Sequence, residues 1–529
     1  MKKLFLVISA LTILSSCTSV KKYNEQITSL HAVEDLHKDV DKVYKQLKKH
    51  HPKLYQYTSK EVLDFKFDSL KKSINTPIDS RDFFKKLAPV VTHVRQGHVS
   101  VSSVGRWFKK KERKALNKQK FEFYDLDFEY LEGKLWVKNN IGKDSTIIGN
   151  EVLKINDESA VNLVNTYKTR FASDGYNTTL HNRFVGKGFS TFYYKDKGFI
   201  DSLKVTFKSK DSIFTKTFRR ISKEKKNKVD SVSVKKVKPK KLSKGEKQTR
   251  RLARKKRKKD NKKYGYLNKR KQYTRNFNFI GKDSSVAFMK IRGFTNGNYK
   301  KFYKESFAKL DSAKSKYLVL DLRDNGGGRI AEIDYLYSYL ANEPYQFITE
   351  SEVKTRMPFL KSFMSNTTPN SLKVVGALLS PLVISHNLLK TKKREGKLYY
   401  RFNKHSKIKE HNPLHFKGKI YVLINGNSFS ASSLISTHLK ATERAVFVGE
   451  ETGGAYNGTV AGIYKIYQLP TSKLKIRMGL MQIEAPQKQN PDGYGVKPDI
   501  KIEPTVEDRR LKKDTELEWI LADIEKNEG

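Results

Sequence analysis

One cysteine, Cys17, occurs in 529 residues. That excludes a disulfide framework and every metal site built from several thiolates. Acidic residues are short: 55 Asp or Glu face 107 Lys or Arg, a net charge of +52. Such an imbalance speaks to the surroundings of a protein rather than to its fold. No apolar run reads as long enough to span a bilayer in the mature chain. The histidines are scattered without close His/Asp/Glu ligand spacing, so neither metal nor cofactor is expected. What is present is a real core composition, 37% hydrophobic and 11% aromatic, which excludes wholesale disorder. At roughly 150 residues per unit, the length suggests three to four units.

The first residues, Met1-Lys2-Lys3, are basic, and Leu4 to Leu14 is an apolar stretch of secretory-signal shape. It ends in Leu14-Ser15-Ser16-Cys17, which resembles a bacterial lipobox. Residues 1–16 are therefore expected to be removed and Cys17 to carry the lipid anchor. Several acyl chains, each contributing about 0.8 kcal/mol per buried methylene, hold a protein to a membrane without a helix. The expected location is the cell envelope, lipid-anchored to a bacterial membrane and most simply the outer one, with the choice of face left open.

Residues 17–110 read as the lipidated start and a helical domain. Thr58-Ser59-Lys60-Glu61 resembles a capping box before Val62, Phe65 and Leu70, and Ser80 can cap a run through Phe83, Phe84, Leu87, Val90, Val91 and Val94. Residues 111–218 read as a further domain, alternating like strands from about residue 120. Within them, a glycine turn, a short strand, a polar turn and an apolar helix-like run (Ile147 to Val164) resemble half of a PDZ domain, with a generic β-rich domain as the other reading. Residues 219–275 hold 27 Lys or Arg against four acids, and self-repulsion predicts an extended, disordered basic linker. Residues 276–510 show an α/β pattern with an irregular insertion at 352–415, and 511–529 form a C-terminal helix or tail.

Two glycine- and serine-rich turns leave buried strands in this last region. Asp321-Leu322-Arg323-Asp324-Asn325-Gly326-Gly327-Gly328 follows an apolar strand. Its glycines let backbone N–H groups converge on one point, which suits an anion. Asn425-Gly426-Asn427-Ser428-Phe429-Ser430-Ala431 follows a second strand and opens a helix, whose dipole favours developing negative charge. Helix capping by Ser428 or Ser430 is the competing reading. Asp321 and Arg323 are expected to lock the strand end as an ion pair, and Asp499 to fix a turn.

These segments, together with Gly449-Glu450-Glu451-Thr452-Gly453-Gly454 and Gly493-Tyr494-Gly495-Val496-Lys497-Pro498-Asp499, resemble the C-terminal-processing (tail-specific) serine peptidase family. The resemblance implies an α/β, ClpP/crotonase-like core, Ser430 as nucleophile, and oxyanion-binding N–H groups at Ala431 and at Gly327 or Gly328. In the Ser/Lys branch a lysine follows the serine by about twenty-five residues. Here that count lands on Ala455, which cannot take a proton. The chain instead resembles the branch related to the tricorn protease core, where a Gly-His pair supplies the base. Gly97-His98 fits that place, and an imidazole accepts a proton near pH 7. The resemblance also implies an acid as orienter, Asp492, with Glu484 as the alternative.

The implied function is a cell-envelope serine endopeptidase acting on protein or peptide substrates. A catalytically impaired peptide- or ligand-binding protein on the same scaffold is the second reading. Polyanion or membrane-surface binding through the basic linker is the third. Aromatic residues are sparse in that linker, so stacking on nucleic-acid bases is not expected.

Overall fold

The computed structural model describes residues 19–142, 144–210, 212–223, 243–268, 270–281 and 283–528. The expected signal peptide, the anchor Cys17 and the 224–242 part of the basic segment lie outside them.

At the centre is a six-stranded sheet in the order Arg275–Ile280, Val286–Ile291, Tyr317–Asp321, Lys419–Ile424, Ala445–Gly449, Ile500–Lys501. The first pair is antiparallel and the rest parallel. Tyr317–Asp321 is buried along its whole length, which is why it reads as an unbroken apolar run: both sheet faces are covered. Helices Tyr299–Ser312 and Ala431–Ala441 make crossovers. Helix Thr515–Glu528 covers the outer face by packing Ile520 and Ile524 on Tyr421, Leu423 and Val448. Ile520 is fully buried. Ile520→Ala should therefore lower stability by about 2–4 kcal/mol, read as a shift in urea midpoint at unchanged m-value.

The N-terminal helices, expected as a domain, share one core with this sheet. Leu36, Val40, Leu47, Phe83 and Val94 lie in the same buried cluster as Leu318, Ile420 and Ile435. Ser59 caps helix Lys60–Ser73, one residue later than the expected capping box places the cap, and the buried face is Leu63, Phe67 and Leu70; Val62 and Phe65 are exposed. The next helix, Ser80–Thr92, is capped by Asp79 rather than Ser80, through bonds from the Arg81 and Asp82 N–H groups.

The β-rich domain has a core of its own around Phe123, Val137, Val205 and Phe207. Its sheet runs Gln119–Phe121, Ile213–Ser222, Ser202–Lys208, Glu151–Ile155, Lys134–Asn140, Leu126–Leu131, with Glu158–Ser159 beside Glu151–Ile155. The last long strand carries the domain past 218. Two helices, Thr179–Lys187 and Phe189–Lys197, lie where strands were expected. A buried ion network joins this domain to the core: Arg183 meets Glu450 at 2.6 Å and Glu129 at 3.3 Å, and Arg509 meets Glu129 at 3.2 Å.

Two expectations fail in the rest of the chain. The basic segment is not extended throughout, because Lys244–Tyr264 is a solvent-exposed helix. A Ser243/Glu246 capping box starts it and Gly265, at φ +74°, ends it. Local caps here outweigh the repulsion between neighbouring cations, which water screens. The insertion holds helices Pro358–Phe363 and Asn370–Lys390. The second is long and apolar enough, by length and composition, to cross a membrane. Ser380, Pro381, Ser385, His386 and Asn387 break its apolar run in sequence, yet the helix continues through them.

Candidate active site

Ser430 stands at the turn between strand Lys419–Ile424 and helix Ala431–Ala441, with φ +58° and ψ −115°. A non-glycine residue rarely adopts such a conformation. The strained turn presents the hydroxyl instead of using it as a cap: Ser430 makes no capping bond to the helix. Its neighbour Ser428 has the structural role, donating to the Leu322 carbonyl at 2.9 Å.

His98 reaches this hydroxyl from the other end of the chain, with Nε2 at 3.0 Å from Ser430 Oγ. Two features hold it there. Strand Ser100–Ser102 pairs with Lys475–Ile483, Val101 opposite Ile476. The 173–178 loop of the β-rich domain is threaded between the imidazole segment and the core. Asp174 Oδ1 accepts the Gly97 N–H at 2.8 Å, the Gly175 N–H donates to the Arg95 carbonyl at 2.8 Å, and the Tyr176 N–H donates to the Gly493 carbonyl at 2.7 Å. A Cβ on Gly97 would stand 2.6 Å from the Phe429 ring, so any larger residue would force that ring to shift beside the serine turn.

On its far side, His98 Nδ1 lies 3.4 Å from the Tyr464 hydroxyl, and Arg477 covers the Tyr464 ring at 3.5 Å. Burial, reinforced by the Arg477 charge, lowers the His98 pKa to about 3, so the imidazole is neutral. Neither carboxylate expected as orienter is in hydrogen-bond contact with it. Asp492 accepts from Gln56 Nε2 at 2.9 Å and the Gly493 N–H at 2.6 Å, with the Tyr57 hydroxyl at 3.4 Å. Glu484 pairs with Lys488 at 3.0 Å and accepts from Gln482. Each is held by nearer donors, and the structure does not bring either to the imidazole.

The glycine run touches the serine as expected, with one correction. A Cβ on Gly327, at φ +96°, would meet Phe429 O, Ala431 N and Ser430 Cβ at 2.7–2.8 Å. The Gly327 N–H, however, is taken by Asn325 Oδ1 at 3.0 Å, which leaves it no hydrogen for an anion. The N–H groups of Gly328 and Ala431 have no acceptor among the described residues and form the candidate oxyanion pair. Asp321 and Arg323 form the expected strand-end pair at 2.8 Å, extended to Asp514 at 2.6 Å. Asp499 accepts the Phe447 N–H at 2.8 Å.

Beside Ser430 opens a cavity of about 430 Å³, with Ile330, Ile333, Leu434, Ala461 and Ile483 among its walls. Asp174, which sequence reasoning missed, lines it too. It is fully buried, accepts from Thr459 Oγ1 at 3.0 Å, and keeps one oxygen, Oδ2, without a partner among the described residues. Burial raises its pKa to about 6, against the opposing pull of the Gly97, Thr459 and Ala455 donors. Ala455, where a dyad lysine would stand, is itself buried. The only sequence signal for Asp174 was the polar Ser173-Asp174-Gly175 turn, which is indistinguishable from a solvated loop.

Known proteins agree with this architecture. The solved structure of mature CPAF superposes with a TM-score of 0.57 at 13% identity, covering 92% of this chain and 95% of that one. Mature CPAF complexed with lactacystin gives 0.57 at 14% identity, covering 91% and 96%. At these identities the likeness is one of fold. The tricorn protease superposes more loosely, with a TM-score of 0.39 at 11% identity over 94% of this chain and 37% of that one, and adds nothing to the argument. No curated protein matches the chain in sequence. Residues 285–502 match the family model described as Peptidase family S41.

Proposed function

We propose that the chain is a cell-envelope serine endopeptidase in which His98 is the base for Ser430. The observation that carries this is the 3.0 Å contact between a neutral imidazole and a hydroxyl held on a strained strand-to-helix turn. The Ser430 proton moves to His98 Nε2 as Oγ bonds the substrate carbonyl carbon. The resulting oxyanion lies between the Gly328 and Ala431 N–H groups. His98 then gives its proton to the leaving amine as the C–N bond breaks, and water, deprotonated by the same imidazole, releases the acyl group.

The apolar cavity suits an apolar side chain next to the scissile bond. Thr459–Gln468 is an edge strand. Ser362, Asn366 and Thr367 cover it from Tyr464 onward, whereas Thr459, Ala461 and Gly462 line the cavity. An extended substrate can add there as a further strand. The PDZ-like expectation for the β-rich domain is kept as a second peptide-holding surface. The lipobox ending at Cys17 supports the envelope location.

One observation favours the binding-protein reading: among the described residues no carboxylate touches His98, and Arg477 opposes the imidazolium that catalysis must form. A serine-directed acylating probe separates the two. The expected result is a single adduct on Ser430, found by mass mapping of the labelled protein. Peptide binding with no adduct at any pH from 5 to 9 would establish the binding protein instead.

A further inference from the structure

Helix Asn370–Lys390 has no place in the peptidase reading. Only Asn387 is buried along its 21 residues. Val375, Leu378, Leu379, Leu382 and Leu389, spaced to fall on one side, are 52%, 69%, 52%, 72% and 78% exposed. A soluble protein does not leave such a stripe to water without a partner.

Two observations identify the partner. The first is charge. Lys373 and Lys390 are the helix's only charged residues, Lys361 lies in the helix it packs against, and Lys392 and Lys393 follow it on an exposed strand. None of these five has an ion-pair partner among the described residues. A second copy of the chain would bring this cationic rim against itself. A surface of anionic headgroups over an apolar interior matches both rim and stripe. The second is position. Gln26, in the helix Val20–Thr28 at the start of the described chain, donates to the Pro470 and Thr471 carbonyls at 3.3 and 3.1 Å. Asn366, in the loop entering the apolar helix, donates to and accepts from Gln468 at 2.7 and 2.8 Å. One turn thus seats both the apolar helix's entry and the segment that follows Cys17.

We infer that Asn370–Lys390 lies in the surface of an anionic lipid bilayer, its leucine stripe among the acyl chains and its lysines at the headgroups. The inference takes from the envelope reading only the side on which the membrane lies, and it is independent of the peptidase chemistry. Such a contact would fix the orientation of the cavity as well as its distance from the membrane, since helix Pro358–Phe363, which packs on Asn370–Lys390, also holds the Tyr464 carbonyl through Ser362.

The test places a tryptophan on the stripe of the full chain by Leu382→Trp, with Leu389→Trp as an independent second position. Vesicles containing phosphatidylglycerol and acyl chains brominated near the headgroup are the probe. With the chain shown to be vesicle-bound by sedimentation, the added indole emission should fall at least twofold relative to unbrominated vesicles, and much less in pure phosphatidylcholine. Bound chain without added quenching at either position would overturn the inference while leaving the anchor intact. So would equal quenching in phosphatidylcholine, or a blue shift that tracks protein concentration without vesicles, which would assign the stripe to a second copy.

Discussion

Ser430→Ala should lower kcat by about 10⁶-fold, and His98→Ala by a similar factor, with the double variant no worse than either alone. The two side chains act on one proton along a 3.0 Å contact, so removing either disables the same step and the losses cannot add. What remains in each variant is the contribution of the oxyanion pair and the cavity, seen as residual hydrolysis above water and little change in KM. The pH profile gives a second reading. With the His98 pKa lowered to about 3 by burial and Arg477, its neutral form persists well below the ordinary imidazole range. Its acid limb in kcat/KM should therefore fall well below 6.5. Steady-state kinetics on a fluorogenic peptide with an apolar residue before the scissile bond checks all three claims. Full activity in Ser430→Ala would remove that serine from the reaction.

The sequence made both partners of this pair legible but not their meeting. Glycine-rich turns after apolar strands mark Ser430, because a parallel sheet exposes its functional groups at strand carboxyl ends. Gly97-His98 was visible only as a short pattern. Its approach to Ser430 depends on a strand pairing with Lys475–Ile483 and on a loop from another domain, and neither leaves a local trace in the residues that form it. The resemblance implies Asp492 as orienter from its place before the Gly-Val-Xaa-Pro-Asp motif, but a carboxylate turns to the nearest donors, here Gln56 and the Gly493 N–H. The family resemblance implies Gly327 or Gly328 as an oxyanion donor without distinguishing them. Asn325 Oδ1 takes the Gly327 N–H in an Asx-type turn. The exposed helix Lys244–Tyr264 had its caps in plain view at Ser243, Glu246 and Gly265, and the density of like charge hid them.

Asp174 offers the largest expected change in pH-dependent stability. Its folded pKa of about 6 lies above the ordinary 3.8 because burial disfavours the charge. Below pH 3.8 the carboxyl is protonated in both folded and unfolded chains, and titration contributes nothing. Between 3.8 and 6 the unfolded chain releases a proton that the folded one keeps, so stability falls as pH rises. Above 6 both forms are ionised and the loss is complete, at about 3 kcal/mol for roughly two pKa units. Asp174→Asn cannot titrate, so its urea stability relative to the parent should rise by about 2 kcal/mol between pH 4 and pH 7, measured in a Ser430→Ala background to prevent self-digestion; parallel curves would defeat the account. Activity separates charge from geometry. Asparagine keeps an oxygen for the Gly97 N–H and Thr459, so kcat at pH 7 should stay within a few-fold. Asp174→Ala leaves that N–H unpaired beside the imidazole it positions, and a displacement of His98 by about 1 Å is enough to cost about 10²-fold in kcat. A carboxylate so costly to bury is retained, on this argument, because it ties the histidine segment to the serine turn across two domains.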